Sequence, residues 1–210
     1  MTFLPCTAVL FDCDGVLVDS DASVLRSWRR WATELGLDPG VVLAAVHGRR
    51  AADTVAHFVA PDARGPAVAL IDRLEIDDAP ATTAIPGAAT LLAAVPASRW
   101  AAVTSGTPAL ARARLVAAGL PVPEVFVTAA DVAQGKPHPE GYLAAASALD
   151  VDPAHCVVLE DAAAGIRAAR AAGVAAVIGV GNRPLGDDRP DVLVPDLRRV
   201  RWTGSGLETR

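Results

Sequence analysis

The segment Asp12-Cys13-Asp14-Gly15 contains the residue types that point most directly to chemistry. It follows a short apolar run, residues 8–11, which is typical of a buried strand that ends in acidic groups. Side chains two residues apart on an extended chain project to the same side, so Asp12 and Asp14 can face one site, and Gly15 permits a sharp turn beside it. Neighbouring carboxylates repel each other unless a cation separates them, and a hard divalent ion such as Mg²⁺ prefers oxygen ligands. A carboxylate at such a site can also act as a nucleophile toward phosphorus.

Three further polar groups follow predicted strands, at the end where an open α/β sheet binds its ligands. They are Thr104-Ser105-Gly106, Lys136, and the pair Glu160-Asp161. Lys136 is unusual because it is the only lysine among the 19 basic residues of the chain. Taken singly, Thr-Ser-Gly is typical of a helix cap, and an acidic pair at a helix start complements the helix dipole.

Taken together, these groups supply what cleavage of a phosphate monoester requires. Carboxylates can hold a metal ion that clamps one phosphoryl oxygen. A hydroxyl and neighbouring backbone N–H groups can bind another oxygen at a helix N-terminus. A lysine can neutralise both the phosphoryl group and the crowded carboxylates.

Strands and helices alternate along most of the chain. Runs rich in β-branched residues predict strands at residues 8–11, 99–104, 124–127, 155–159, 174–180 and 192–194. Alanine-rich stretches predict helices at residues 109–118, 139–149 and 162–172. This alternation predicts an α/β fold with a doubly wound (Rossmann-like) parallel sheet and helices on both faces. The C-terminal stretch from Trp202 onward is predicted to be frayed.

The pattern changes after the first predicted strand. Residues 19–83, called the insert below, contain helical segments broken by glycine and proline and no convincing strand. We therefore predict an α/β core of residues 1–18 and 84–210, with the insert as a small all-α cap domain over the substrate.

Composition restricts the partners. The net charge is −5 and only 4% of the residues are aromatic, which argues against nucleic acid and against an anionic membrane surface. No targeting segment is visible, and no stretch approaches the roughly 18 apolar residues that span a bilayer. Three cysteines at irregular spacing fit reduced thiols, so we expect a cytoplasmic protein. We also expect a monomer, because a lid must move freely.

Four segments of the chain resemble the motifs of the haloacid dehalogenase-like (HAD) hydrolase superfamily. They are residues 11–20 (FDCDGVLVDS), 103–106 (VTSG), 135–137 (GKP) and 159–165 (LEDAAAG). They occur in the order and spacing of the family, and the resemblance extends over nearly the full length. The insert is similar to the small cap of the members whose cap follows the first motif.

The resemblance implies a role for each matching residue. Asp12 is expected to be the nucleophile that forms an aspartyl-phosphate, and Asp14 the general acid and base. Thr104 and Lys136 are expected to bind the phosphoryl group, beside Ser105 and Gly106. The ligands expected for Mg²⁺ are Asp12, the backbone carbonyl of Asp14, and Asp161, with Glu160 in or next to that set.

Finer features are similar to the sugar- and polyol-phosphate phosphatases of the superfamily. They are residues 46–50 (VHGRR) in the insert, residues 84–88 (AIPGA) and residues 127–140 (VTAADVAQGKPHPE). They imply a small phosphorylated sugar or polyol as substrate. His47, Arg49 and Arg50 are the candidates for substrate contact, Arg50 before Arg49; the alternative for all three is a basic helix surface.

Three other functions are alternatives. A haloacid dehalogenase is disfavoured because it does not need the second acid, Asp14. A sugar phosphomutase of the β-phosphoglucomutase type uses the same core residues and needs additional cations in the cap, which Arg49 and Arg50 can supply. A non-enzymatic protein that kept the fold would be indicated by the loss of a core motif residue, and Asp12, Asp14, Lys136 and Asp161 are all present.

Overall fold

The structure is a computed structural model that describes residues 1–46 and 48–210. Its strands are β1 (Thr2–Pro5), β2 (Ala8–Phe11), β3 (Val18–Asp19), β4 (Thr83–Ala84), β5 (Trp100–Val103), β6 (Val125–Val127), β7 (Cys156–Glu160), β8 (Ala176–Val180), β9 (Val192–Val194), β10 (Val200–Trp202) and β11 (Gly206–Thr209). Its α-helices are α1 (Asp21–Glu34), α2 (Pro39–Leu43), α3 (Ala51–Phe58), α4 (Arg64–Asp78), α5 (Ala88–Ala94), α6 (Pro108–Ala117), α7 (Glu140–Ala148) and α8 (Ala163–Ala171).

A six-stranded parallel sheet forms the centre of the molecule, in the order β6-β5-β2-β7-β8-β9. The strand order reverses beside β2, so the crevice of a doubly wound sheet lies at the carboxyl ends of β2, β5 and β7. These are the three strands that the first, second and fourth predicted motifs follow. The predicted α/β fold class is therefore confirmed.

Alternate residues of the strands face two different hydrophobic layers. Val9 and Phe11 pack with the buried residues of α5 and α6, whereas Ala8 and Leu10 pack with those of α7 and α8. Because both faces are covered, the strands read as continuous apolar runs rather than alternating ones. The four residues of β2 are all fully buried, which fixes the position of the acidic residues that follow it.

The C-terminal stretch corrects one sequence prediction. Residues from Trp202 onward are not frayed: β11 pairs with both β1 and β10 in a three-stranded antiparallel sheet. Leu207 is fully buried in the hydrophobic layer that includes α5. The prediction failed because the run of Thr, Gly and Ser at residues 203–206 is typical of a tail, whereas here it is a turn between two strands.

The insert forms a layer of helices with a hydrophobic cluster of its own. The cluster includes Trp28, Trp31, Val42, Val55 and Ile71, from all four helices α1 to α4. The indole of Trp31 donates to the carbonyl of Ala67 at 2.8 Å, and its ring meets that of Trp28 edge to face. The insert begins and ends at one short antiparallel ladder, in which β3 pairs with β4. The division of the chain into a core domain and a cap domain stays a prediction.

Two further observations concern the whole chain. All three cysteines (Cys6, Cys13 and Cys156) are buried as free thiols. Throughout the residues that the structure describes, every helix is too short or too polar to cross a membrane.

The packing of β11 predicts a measurable effect on stability. Leu207→Ala should lower the free energy of unfolding by about 2–5 kcal/mol, because it leaves a cavity in a closed layer. Leu193→Ala is the matched control: this leucine also lies in a strand but is 59% exposed, so its loss should cost no more than about 0.5 kcal/mol. Urea denaturation of the two variants measures the difference, and equal midpoints would show that the C-terminal strand does not pack as described.

Candidate active site

Asp12 and Asp14 lie in a tight turn directly after β2. The N–H groups of Leu17 and Val18 both donate to the carbonyl of Cys13, at 2.9 and 3.0 Å, which folds the chain back at once. The turn holds the two carboxyl groups at the carboxyl end of the sheet, where the sequence predicted them.

Gly15 is required in this turn for two reasons. Its φ of +80° lies in the left-handed region, which side chains disfavour. A Cβ at this position would also lie 2.1 Å from Oδ2 of Asp161. Only glycine therefore allows the turn after β2 to approach the residue that follows β7.

A buried ammonium joins the first and fourth motifs. Nζ of Lys136 donates to Oδ1 of Asp12 at 2.5 Å and to Oε1 of Glu160 at 2.6 Å, and its third contact is the carbonyl of Val103 at 3.3 Å. Burial alone would lower the pKa of Lys136, but the two carboxylates outweigh it and raise that pKa well above its ordinary value. Lys136 is therefore a fixed positive charge between the ends of β2 and β7.

Glu160 holds this lysine in place. It is 0% exposed, and Oε1 also accepts a hydrogen bond from the hydroxyl of Tyr142 at 2.8 Å. Oε2 accepts from the backbone N–H groups of Asp161 and Ala162, both at 3.0 Å. With both oxygens occupied, Glu160 is placed to orient Lys136.

Three carboxylates come together at the sheet edge. Oxygens of Asp12, Glu160 and Asp161 lie within 4.8 Å of one another, all three residues being buried. Burial raises the pKa of Asp12 well above its ordinary value, with Lys136 offsetting part of the shift. Burial, together with Glu160, raises the pKa of Asp161 to about 7. The ionised forms of Asp12 and Asp161 are therefore destabilised by burial and by the neighbouring carboxylates. A bound cation would offset both effects, and the oxygen donors of the cluster fit a hard divalent ion.

The side chain of Asp14 points away from that cluster. Its Oδ1 accepts hydrogen bonds from the hydroxyl of Ser20 at 2.6 Å and from Nη1 of Arg114 at 2.9 Å. Asp14 is not part of the side-chain cluster that could hold a metal. This separation is compatible with the sequence expectation that Asp14 contacts a metal only through its backbone carbonyl.

The second motif lies beside the first. Thr104 directly follows β5 and is buried, and its Oγ1 accepts a hydrogen bond from the N–H of Gly106 at 3.0 Å. Ser105 and Gly106 line the cavity in front of Asp12. Helix α6 begins at Pro108 and is capped by the hydroxyl of Thr107. Thr107 lines the same cavity, so the N-terminus of α6 lies at this edge of the sheet.

The candidates for substrate contact in the insert have different surroundings. His47 lies outside the described residues. Arg49 is exposed and lines the cavity. Arg50 also lines it, but its guanidinium is bound by the carboxylate of Asp53 and by the carbonyls of Val132 and Ala133, at 2.8 to 3.3 Å. In this structure Arg50 therefore connects the insert to the loop that carries Lys136.

Four site residues were missed by the sequence reasoning: Tyr142, Arg183, Arg114 and Glu75. Two features of the sequence could have indicated Tyr142: it is the only tyrosine of the chain, and it lies shortly after Lys136. Arg183 bridges Asp161 at 3.0 Å and Asp21 at 2.7 Å from a loop with no regular pattern. Arg114 and Glu75 could have been found from the helical pattern, because each is a charged residue at a position where its helix is otherwise apolar. They lie next to Leu115 and Leu74.

A cavity of about 270 Å³ lies between the sheet edge and the insert. Asp12, Asp14 and Asp161 line its sheet side. Its insert side is lined by apolar residues, Val24, Trp28, Val46 and Val68, together with the arginines described above. The cavity thus joins an acidic floor to a wall that is part apolar and part charged, because Asp21, Asp72 and Glu75 line the insert side beside the arginines.

Gly165 offers a test of how Glu160 supports the site. A Cβ at Gly165 would lie 1.6 Å from Oε1 of Glu160, so Gly165→Ala must displace the carboxylate that orients Lys136. We expect it to lower activity by about 10- to 100-fold, the usual effect of losing an orienting partner. Gly65→Ala is the matched control, since it also lies in a helix but has nothing within 4 Å of the added carbon. Steady-state kinetics of both variants measure the difference. Equal activities would show that the position of the Glu160 carboxylate does not matter for Lys136.

The chain is similar to known hydrolases over most of its length. It matches the haloacid dehalogenase-like hydrolase family over residues 6–173. It is 48% identical to hexitol phosphatase A of Escherichia coli (strain K12) over 209 residues, which cover 94% of each chain. It is 33% identical to glycerol-1-phosphate phosphohydrolase 2 of Saccharomyces cerevisiae over 98% of this chain and 88% of the relative. The crystal structure of a hydrolase from Pseudomonas syringae has the same fold, with a TM-score of 0.82 at 22% identity, over 91% of this chain and 94% of that one.

These matches confirm the family predicted from the four segments. Relatives that align with nearly the whole chain are sugar- and polyol-phosphate phosphatases. The carboxylates, the lysine and the hydroxyl of the motifs meet at the edge of the sheet where such a hydrolase would need them. The chain belongs to the haloacid dehalogenase-like hydrolase family.

Proposed function

We propose that this protein is a Mg²⁺-dependent phosphatase that hydrolyses small phosphorylated sugars or polyols through an aspartyl-phosphate. The observation that supports this most is the contact of Lys136 with both Asp12 and Glu160 beside a cluster of three carboxylates. The relatives supply the substrate class, because hexitol phosphatase A is 48% identical over 94% of the chain.

Each motif residue has a part in the proposed reaction. The carboxylate of Asp12 attacks phosphorus, and the bond from phosphorus to the leaving alcohol breaks. Asp14 donates a proton to the oxygen of that alcohol and later takes one from the water that hydrolyses the aspartyl-phosphate. Lys136, Thr104 and the N–H groups near Gly106 hold the phosphoryl oxygens during both steps.

The acidic cluster fits Mg²⁺. The residues that would hold the ion are Asp12, Asp161 and the backbone carbonyl of Asp14, with Glu160 next to them. The ion would neutralise a phosphoryl oxygen, which makes phosphorus more accessible to an anionic nucleophile. The raised pKa values of Asp12 and Asp161 are consistent with this assignment, since burial and neighbouring carboxylates disfavour their ionised forms and a bound cation would favour them.

The cavity suits a short polyhydroxylated chain. A polyol can place its C–H surface against Trp28 and the neighbouring valines while Arg49 hydrogen-bonds its hydroxyl groups. We infer that the insert acts as a lid that selects the leaving group. His47, Arg49 and Arg50 stay the candidates for that selection.

A phosphomutase of the β-phosphoglucomutase type is the second candidate function. Arg49 and Arg50 favour it, because a bisphosphate intermediate needs cations in the insert. The engagement of Arg50 by Asp53 and two carbonyls weakens it, because that guanidinium would have to exchange its present partners. A monomeric state, a cytoplasmic location and the absence of nucleic-acid or membrane partners stay predictions.

Phosphate release across a panel of hexose, pentose, hexitol and glycerol phosphates tests the proposed function. We expect release with Mg²⁺, none with EDTA, and none from Asp12→Asn, because an amide cannot form the aspartyl-phosphate. Asp77→Asn, an exposed carboxylate on α4, is the control and should keep full activity. Conversion of a sugar 1-phosphate to its 6-phosphate after priming with a bisphosphate, without phosphate release, would instead identify a mutase.

The geometry of Lys136 predicts that arginine cannot replace it. Lys136→Arg should lower kcat by about 100-fold or more, because a planar guanidinium cannot sit between Asp12 and Glu160 as a compact ammonium does. Thermal unfolding should be recorded in parallel to show that the variant is folded. Turnover close to that of the unmodified protein would mean that Lys136 does not contact the phosphoryl group.

A further inference from the structure

Two charged side chains occupy buried positions between α6 and the insert. Arg114 is 3% exposed and Glu75 is 5% exposed, and each lies among apolar neighbours on its own helix. Nη2 of Arg114 donates to Oε1 of Glu75 at 3.0 Å, while Nη1 donates to Oδ1 of Asp14 at 2.9 Å. One guanidinium therefore joins the acid that follows β2 to a helix of the insert.

Stability alone is a poor reason for this arrangement. Burying an ion pair carries a desolvation cost, and apolar side chains of the same size are often at least as stable in its place. The arrangement is also incomplete, because Nε of Arg114 is buried without a partner among the described residues. A buried N–H left unpaired destabilises the fold. The contact of Arg114 with Asp14 supplies a functional reason.

The contacts of Asp14 fix one of its two carboxyl oxygens. Ser20 and Arg114 both bind Oδ1, and across residues 1–46 and 48–210 no hydrogen bond reaches Oδ2. Asp14 lines the cavity, and its side chain is 30% exposed. Two donors on one oxygen restrict rotation of the carboxyl group and leave the other oxygen for proton transfer.

We propose that Arg114 is a positioning residue for Asp14, and that Glu75 makes this positioning depend on the insert being packed against the core. The inference rests on the phosphatase function proposed above. The guanidinium does not exchange protons with the substrate. It acts by holding Asp14 where its free oxygen can protonate the leaving alcohol, and Glu75 holds the guanidinium only while α4 lies against α6.

The leaving group distinguishes this role from a general structural one. An alkyl phosphate such as glycerol 1-phosphate needs a proton on its departing oxygen, whereas acetyl phosphate releases acetate, which leaves without one. The value of kcat/KM reflects the steps up to the departure of the leaving group. Loss of a positioned acid therefore lowers kcat/KM for glycerol 1-phosphate more than for acetyl phosphate.

The test compares Arg114→Lys with Arg112→Lys on both substrates. Arg114 contacts Asp14 and Glu75 through two separate nitrogens, and a lysine, with a shorter side chain and one ammonium, cannot reproduce that fork. Arg112 is an exposed residue of the same helix and serves as the matched control. We expect Arg114→Lys to lower kcat/KM for glycerol 1-phosphate by about tenfold or more and for acetyl phosphate by much less. Arg112→Lys should leave both values unchanged.

A double variant protects the test against misfolding. Arg114→Met combined with Glu75→Leu removes both buried charges at once, so neither is left unpaired. It should unfold near the temperature of the unmodified protein and show the same selective loss on the alkyl phosphate. An equal loss on both substrates, or no loss, would overturn the inference while the unmodified protein still releases phosphate. Absence of release from the unmodified protein itself would instead refute the proposed function.

Discussion

The contact of Lys136 with Asp12 and Glu160 is the interaction on which the site depends. Three buried carboxylates at one edge of a sheet repel one another, and the folded state could not hold them together without a cation. Lys136 supplies one positive charge and contacts two of the carboxylates directly, while Arg183 contacts the third. The oxygen atoms of the cluster remain a donor set that fits the divalent cation proposed above.

The rest of the core serves to bring these groups together. Parallel strands deliver their carboxyl ends to one edge, so residues 12, 104 and 160, far apart in sequence, become neighbours without any long side chain having to reach. Small residues then allow close approach: Gly15 lies against Asp161, and Gly165 against Glu160. At both positions a single added carbon would occupy the space of a buried carboxylate.

Much of this arrangement could be predicted from the sequence, because its parts carry local signals. Short apolar and β-branched runs predicted the central strands to within two residues, and three of the four motifs follow the strands that meet beside the crevice. The prediction failed at residues 203–206, where a glycine-rich turn between two strands has the composition of a tail. Whether this segment is a tail or a turn depends on the long-range pairing of β11 with β1. A local sequence pattern cannot indicate a pairing partner at the other end of the chain.

The residues that were missed are those whose meaning depends on another element. Arg183 pairs with Asp161 and Asp21 only because a loop after β8 passes over the site. An arginine among leucines on α6 and a glutamate among leucines on α4 are each anomalous on their own helix, and together they indicate a buried pair between the two helices. A charged residue at an apolar helix position is the sequence feature that Arg114 and Glu75 share.

Contacts between the insert and the core converge on the same few groups at the edge of the sheet. Arg50 reaches from the start of α3 to the loop that carries Lys136, and Glu75 reaches Asp14 through Arg114. The insert therefore contacts the loop that carries Lys136 and also the guanidinium that binds Asp14. A lid that merely covered the cavity would need neither contact. Because both contacts would be lost if the insert moved away, the proposed function implies that the helices lining the cavity also help to complete the catalytic site.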